Sequence, residues 1–138
     1  MQPDGILETS LYADDLQAAE RFYTGVLGLR LVRREPTRHV FFRCGQGMLL
    51  IFRPSQSSRR PLMGARQPIP PHGATGPGHV CFRVHSEDFP RWMDVLRRHR
   101  IRIEADFEWP GGGRSVYFRD PAGNSLEFAE PRIWPAFD

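Results

Sequence analysis

Lysine is absent from this chain: all 19 basic residues are arginine. That excludes Schiff-base chemistry on a lysine amine and any phosphate-binding loop built around a lysine. Cysteine is nearly as scarce, with Cys44 and Cys81 alone among 138 residues. They form no metal-ligand spacing such as Cys-x-x-Cys, and a reducing compartment disfavours a bridge between them. Both are expected in the core, a reactive thiol at Cys81 being the lesser alternative.

Long apolar runs are also missing. The longest, Met48 to Phe52, falls far short of a membrane span, and Met1-Gln2-Pro3-Asp4 lacks the basic and apolar regions of a signal peptide. A cytoplasmic protein with no membrane partner is therefore expected. The isoelectric point near 9.4 raises the question of nucleic acid, yet the net charge is only +3. The arginines are scattered from Arg21 to Arg132 with no long basic block, the pattern of a solvated surface rather than a nucleic-acid interface.

What the chain does contain is a repeat. Arg38-His39-Val40-Phe41-Phe42-Arg43, a glycine turn, then Leu49-Leu50-Ile51-Phe52-Arg53-Pro54 is echoed by Arg114-Ser115-Val116-Tyr117-Phe118-Arg119, the turn Asp120-Pro121-Ala122-Gly123-Asn124, then Leu126-Glu127-Phe128-Ala129-Glu130-Pro131. Counting back from the closing prolines sets Leu50 against Glu127. A carboxylate thus replaces a core leucine in an otherwise apolar strand, and a buried charge must be paired or metal-bound to be tolerated.

Each half reads as β-α-β-β-β. In the first, Ile6 to Tyr12 alternates as a strand, Asp14-Asp15 offers a helix N-cap, and Leu16, Ala19, Phe22, Tyr23 and Val26 recur at helical spacing. Gly28 ends that helix, Leu29 to Arg33 begins a second strand, and Arg38 to Cys44 with Met48 to Arg53 make a hairpin. In the second, Gly78 to Val84 is a strand, Ser86 or Asp88 can cap, and Phe89, Trp92, Val95 and Leu96 form a helical stripe that places Trp92 in the core. Ile101 to Glu104, Ser115 to Arg119 and Ser125 to Ala129 are the remaining strands, with Gly111-Gly112-Gly113 at a hairpin tip. From Pro54 to Gly78 lie six of the thirteen prolines. A connection longer than about 12 residues is usually functional or disordered, so this stretch either covers a cavity or simply tethers the modules.

The expected fold is α+β: a single domain over residues 1–138, with module 1 at about 5–54, a Pro/Gly-rich linker at 55–77 and module 2 at about 78–134. The modules would form a cupped eight-stranded mixed sheet with helices on its outer face and a ligand in the cup. Aligning the opening strands sets Glu8 against His79. Glu8, His79 and Glu127 then occupy symmetry-related positions, a donor set suited to one divalent metal ion such as Mn, Fe, Ni or Zn with positions left for water and substrate. Each has a plainer reading: a solvated carboxylate for Glu8, a hydrogen-bonded strand histidine for His79, and pairing with Arg43, Arg114 or Arg119 for Glu127. Those arginines read as surface strand residues, at most one of them pointing into the cup to hold an anionic substrate.

The stretch Leu11 to Leu16 leading to Phe22-Tyr23 and Val26 to Leu29, then Gly78-His79-Val80, then Tyr117 to Glu127, resembles the vicinal oxygen chelate superfamily. This superfamily includes glyoxalase I, extradiol dioxygenases, fosfomycin-resistance thiol transferases and bleomycin-binding proteins. The resemblance covers nearly the whole chain and implies metal ligands at Glu8, His79 and Glu127, a small-molecule substrate and a homodimer. It also implies catalytic roles for Glu127 and for Tyr117, whose spacing is similar to that of a tyrosine in the extradiol enzymes; packing is the alternative for Tyr117. Two departures stand out. Relatives carry histidine or glutamine at the position of Glu8, and glyoxalase I carries a glutamate at the position of Leu50. The implied function is a metal-dependent lyase, isomerase or dioxygenase; the alternative is a metal-free protein that binds or sequesters a small molecule, as bleomycin-resistance proteins do, with aromatic area from Trp109, Trp134, Phe107 and Tyr117, and from Trp92 were it not in the core.

Overall fold

The computed structural model describes residues 1–135, and these fall into two compact units, Met1–Gly76 and Pro77–Asp138. The first unit runs β1 (Glu8–Tyr12), α1 (Leu16–Gly25), β2 (Arg30–Glu35), β3 (His39–Cys44), β4 (Gly47–Phe52) and a short helix α2 (Pro54–Ser57). The second runs β5 (His79–Arg83), a 3-10 turn at Ser86–Asp88, α3 (Phe89–Arg98), β6 (Ala105–Glu108), β7 (Arg114–Arg119) and β8 (Ser125–Ala129). The α+β architecture of two β-α-β-β-β modules is thus observed. The strands form two four-stranded mixed sheets, ordered β1-β4-β3-β2 and β5-β8-β7-β6.

In the first unit, α1 forms because its apolar residues recur every three or four positions: Leu16, Ala19, Phe22 and Tyr23 are all buried. Asp15 caps it as expected, its carboxylate accepting from the Ala18 amide at 2.9 Å. Gly28 ends it with φ +67°, a conformation in which a side chain would clash with its own backbone. The helix packs on Val40, Phe42, Leu49 and Ile51, which share one sheet face and are 1% exposed or less. Tyr23 meets Phe42 at 5.4 Å between ring centroids.

The second unit follows the same plan with different chemistry at its joints. Neither Ser86 nor Asp88 caps α3 with its side chain; Ser86 bonds Glu87 instead, and Pro90 occupies the first turn, where no amide partner is needed. At the other end Arg100 takes φ +55°, a left-handed position that glycine would fill without strain. The strand expected at Ile101 to Glu104 forms later, at Ala105–Glu108. The reason is local: the Ile101 amide still closes the helix by donating to the Leu96 carbonyl at 2.9 Å, so the chain must straighten before it can pair with β7. Three core assignments also change. Cys81 is exposed and Cys44 half-buried, while Trp92 is half-buried, tilted against Phe128 at 4.8 Å.

The proline-rich stretch is partly anchored within the first unit. The His72 amide donates to the Ser57 carbonyl at 3.0 Å, and the Tyr12 hydroxyl lies 2.7 Å from His72 Nδ1. Ile69, Pro70 and His72 thereby wall a hollow on the sheet. Among the described residues no helix is long and apolar enough to cross a membrane.

Candidate functional site

Strand register places the second unit's polar residues on one face. Cys81 of β5 and Tyr117 of β7 both lie opposite Glu127 of β8, and His79 lies opposite Ser125. The turn after β7 sets this alignment. Asp120 accepts from the Ala122 and Asn124 amides at 3.0 and 2.8 Å, and Asn124 Oδ1 accepts from the Gly78 amide at 2.8 Å. One turn therefore ties the start of β5 to the start of β8.

Glu127 is 5% exposed. None of the candidate arginines neutralises it: Arg114 makes a two-point pair with Asp106 at 2.8 and 2.7 Å, Arg119 pairs with Glu104, and Arg43 reaches the Gln46 carbonyl. Its partners are instead hydroxyl and imidazole. The buried Ser115 hydroxyl donates to Glu127 Oε1 at 2.6 Å, and Trp109 Nε1–H donates to Ser115 Oγ at 2.8 Å. An indole can only donate, so the serine hydrogen is directed at the carboxylate and Oε1 is an acceptor. Ser115 and Trp109 as supports of Glu127 are not visible in the sequence, since a contact made through the packed hairpin has no spacing signature.

The other oxygen, Oε2, lies 3.3 Å from His79 Nε2. His79 Nδ1 lies 2.9 Å from the Ser125 carbonyl, which can only accept, so Nδ1 carries a proton. With Nδ1 so occupied, Nε2 is the nitrogen turned toward the carboxylate oxygen, and without a proton of its own it presents a lone pair there. Two acceptors facing each other at this distance repel unless a cation lies with them: a proton, or a metal ion. The imidazole is also fixed in the manner of metal-ligating histidines, its second nitrogen bound to a carbonyl. By donor chemistry the pair fits a divalent ion.

Tyr117 lies between His79 and Phe107, with ring centroids at 6.2 and 5.9 Å and planes within 23° and 13°. Burial, and then the neighbouring Glu127 carboxylate, raise its phenol above the ordinary range. Cys81 is likewise pushed up to about 12, by burial first and then by Glu127. Although the residue as a whole is exposed, its thiol stays protonated at neutral pH, which argues against the reactive-thiol alternative.

His79, Tyr117 and Glu127 are thus brought together within the second unit. Glu8 stands at the start of β1 in the first unit, opposite Met48, and Leu50 occupies the register position there that Glu127 holds in the second. Among the described residues no three His, Cys, Asp or Glu side chains form a group able to hold a metal ion.

Paired β-α-β-β-β units, with a histidine on the opening strand beside a buried glutamate on the closing strand, define the class. The model of the Glyoxalase/Bleomycin resistance protein/Dioxygenase superfamily matches residues 5–128, and the chain belongs to that superfamily. Among solved structures it is similar to lactoylglutathione lyase from Agrobacterium tumefaciens, at 47% identity and a TM-score of 0.90, over 99% of this chain and 100% of that one. The fosfomycin resistance protein FosX from Mesorhizobium loti shares the fold at 21% identity and a TM-score of 0.64, over 94% of this chain and 93% of that one. A curated relative, "Putative ring-cleaving dioxygenase MhqE" of Bacillus subtilis (strain 168), is 30% identical over 113 residues, which is 75% of this chain and 34% of that protein. The chain spans about a third of that relative's length.

Proposed function

We propose that the protein is a metal-dependent enzyme of this superfamily, acting on a small substrate that presents two neighbouring oxygens, as a glyoxalase-like lyase or isomerase or as a dioxygenase. The observation that carries the reading is the approach of His79 Nε2 to Glu127 Oε2 at 3.3 Å with the His79 proton held at Nδ1. His79 and Glu127 would hold the ion, with Glu8 as a third ligand. When bound, a divalent ion supplies Lewis acidity that stabilises negative charge developing on substrate oxygen.

The remaining roles belong to the chain itself. Ser115 keeps Oε1 of Glu127 engaged and leaves Oε2 turned toward His79, and this carboxylate would take a proton from a carbon next to a carbonyl. Glu8 is the other carboxylate available for that step. Tyr117, kept protonated by burial and by Glu127, can donate a hydrogen bond to a substrate oxygen. The similarity to a lactoylglutathione lyase favours the lyase chemistry, whereas Leu50 removes the fourth ligand and second base that glyoxalase I is expected to use. The similarity to a ring-cleaving dioxygenase keeps oxygen chemistry in view.

A second reading rests on the aromatic row. Phe107 and Trp109 are 40% and 39% exposed; Phe107 stacks on Tyr117 and Trp109 stands edge-on to Phe107, an aromatic surface suited to holding a flat ligand without metal. Elemental analysis of wild type and Glu127→Ala, both purified without added metal, separates the two. Metal in the wild type and its loss in the variant supports the enzyme reading; equal, negligible content in both after exposure to Mn²⁺, Ni²⁺, Zn²⁺ and anaerobic Fe²⁺ supports the binding protein. A homodimer in the cytoplasm completes the proposal. Mixing Glu8→Ala and Glu127→Ala chains would restore one site if the ligands come from different subunits.

A further inference from the structure

The first unit has lost the glutamate of its twin, yet its sheet face is not featureless. A hollow of about 590 Å³ lies there, lined by aromatic Phe41 and Phe52, by Arg33, Arg38 and His39, and closed on one side by His72 of the proline-rich stretch. That is within the range of small-molecule sites. Its chemistry is lopsided. Among the described residues no salt bridge engages Arg33 or Arg38, although Arg34, Arg97, Arg114, Arg119 and Arg132 all have carboxylate partners. Glu8 also lines the hollow, two residues along β1 from Ser10, whose row runs through Leu50 and Phe41 to Arg33.

The aromatic part is arranged in planes. His39 stacks on Phe41 at 4.0 Å with planes 11° apart, and Phe52 stands edge-on to Phe41 at 5.2 Å. The Arg38 guanidinium sits over Phe52 at 5.4 Å and lies 3.4 Å from His39 Nδ1. An arginine can only donate, so Nδ1 accepts and the ring hydrogen is on Nε2. That buried Nε2 has no hydrogen-bond partner, a deficiency that sites normally relieve with the group that fills them. Burial, then the charges of Arg38 and Arg33, also hold His39 below its ordinary value, keeping it neutral.

We propose that this hollow binds a planar, aromatic, anionic group of the substrate, a benzoate-like ring whose carboxylate meets Arg33 and Arg38 and which packs in the corner formed by Phe41 and Phe52. It deepens the enzyme reading above and rests on it only in taking the ligand to be a substrate. Flat rings suit aromatic walls, and two guanidiniums without carboxylate partners suit a carboxylate, which each can meet by paired N–H donors.

The test uses metal-free full-length protein and three probes followed by ligand-observed NMR titration: benzoate, its neutral counterpart benzyl alcohol, and the non-planar anion cyclohexanecarboxylate. Benzoate should bind most tightly, and Arg33→Gln with Arg38→Gln should weaken it about tenfold or more, while Arg97→Gln, on the solvent side of α3, leaves it unchanged. Circular dichroism verifies folding, and the single variants carry the comparison if the double variant does not fold. Benzyl alcohol or cyclohexanecarboxylate binding as well as benzoate, benzoate failing to bind, or the arginine variants binding normally would each overturn the proposal. Metal-induced stabilisation measured on the same samples keeps the two readings apart: its presence without benzoate binding sinks only this inference, and the converse sinks only the metal-enzyme reading.

Discussion

At one matched register position the first unit pairs Phe41 with Leu50, and the second pairs Tyr117 with Glu127. The strand order, the helix on one face and the hairpin are shared, so the difference lies in what each sheet carries rather than in how it is built. In the second unit the carboxylate is tolerated because Ser115 donates to one oxygen and His79 stands at the other. In the first, the register position of Ser115 is held by His39, which stacks on Phe41 and bonds to Arg38. One repeat has become a centre of negative charge with an imidazole beside it. Its twin has become an aromatic and cationic hollow. A duplicated fold can divide its labour in this way because a sheet face is decided by alternate side chains, while the core face and the turns maintain the structure.

Making the first unit resemble the second is the strongest test of that contrast. Leu50 is 6% exposed and has no hydroxyl donor at the position matching Ser115, so Leu50→Glu should destabilise the metal-free protein by about 2–4 kcal/mol in urea unfolding. Unchanged stability would mean that Glu127 needs no special support either. Removing that support directly is the next step. Ser115→Ala strips the hydrogen bond from Glu127 and leaves the Trp109 N–H without its acceptor, a loss of about 1–3 kcal/mol by the same measurement. It should also change the tryptophan emission.

The helix ends differ by a smaller amount. Gly28 and Arg100 both have positive φ, so Arg100→Gly should stabilise by about 1 kcal/mol and Gly28→Ala should destabilise by a similar figure. Opposite signs in thermal melts are the expected result. Smallest at neutral pH is the effect of Cys81. Its thiol is raised from 9.0 to about 12 in the folded state, so the folded protein holds a proton that the unfolded chain releases. The stabilisation is complete below about pH 9 and disappears as pH rises toward 12. In a Cys44→Ala background, alkylation of Cys81 at pH 8 should run well below the rate for an unstructured peptide thiol; an equal rate would place the sulfur free in solvent.

Much of this contrast is legible in the residues alone, because it depends on local rules. The alternation of His39 to Cys44 and Arg114 to Arg119, the Asp15 cap, the Gly28 stop and the Asp120 to Asn124 turn each announce themselves, and their registry sets Leu50 against Glu127. The start of β6 is not legible: Arg100 occupies the left-handed position that a glycine would have marked, so the straightened stretch before the strand reads as the strand itself. Nor is the Trp109 to Ser115 to Glu127 chain, which depends on how the hairpin tip folds back over β7. Gly113 there has φ +91° and leaves no room for a Cβ, which would lie 2.6 Å from Ile133. Cys81 reads as a core residue because cysteine usually is buried, whereas its strand lies at the edge of its sheet.

The central claim is that Glu127 and His79 face one another in order to share a cation. The most direct measurement is the melting temperature of metal-stripped wild type, His79→Ala and Glu127→Ala as Mn²⁺, Ni²⁺ or Zn²⁺ is titrated in. Binding to the native state alone stabilises by about 2.7 kcal/mol at a hundred times the dissociation constant. The account predicts a rise that continues with metal concentration in the wild type and is lost in both variants. A wild type that melts at the same temperature with and without metal, or variants that rise as it does, would contradict it.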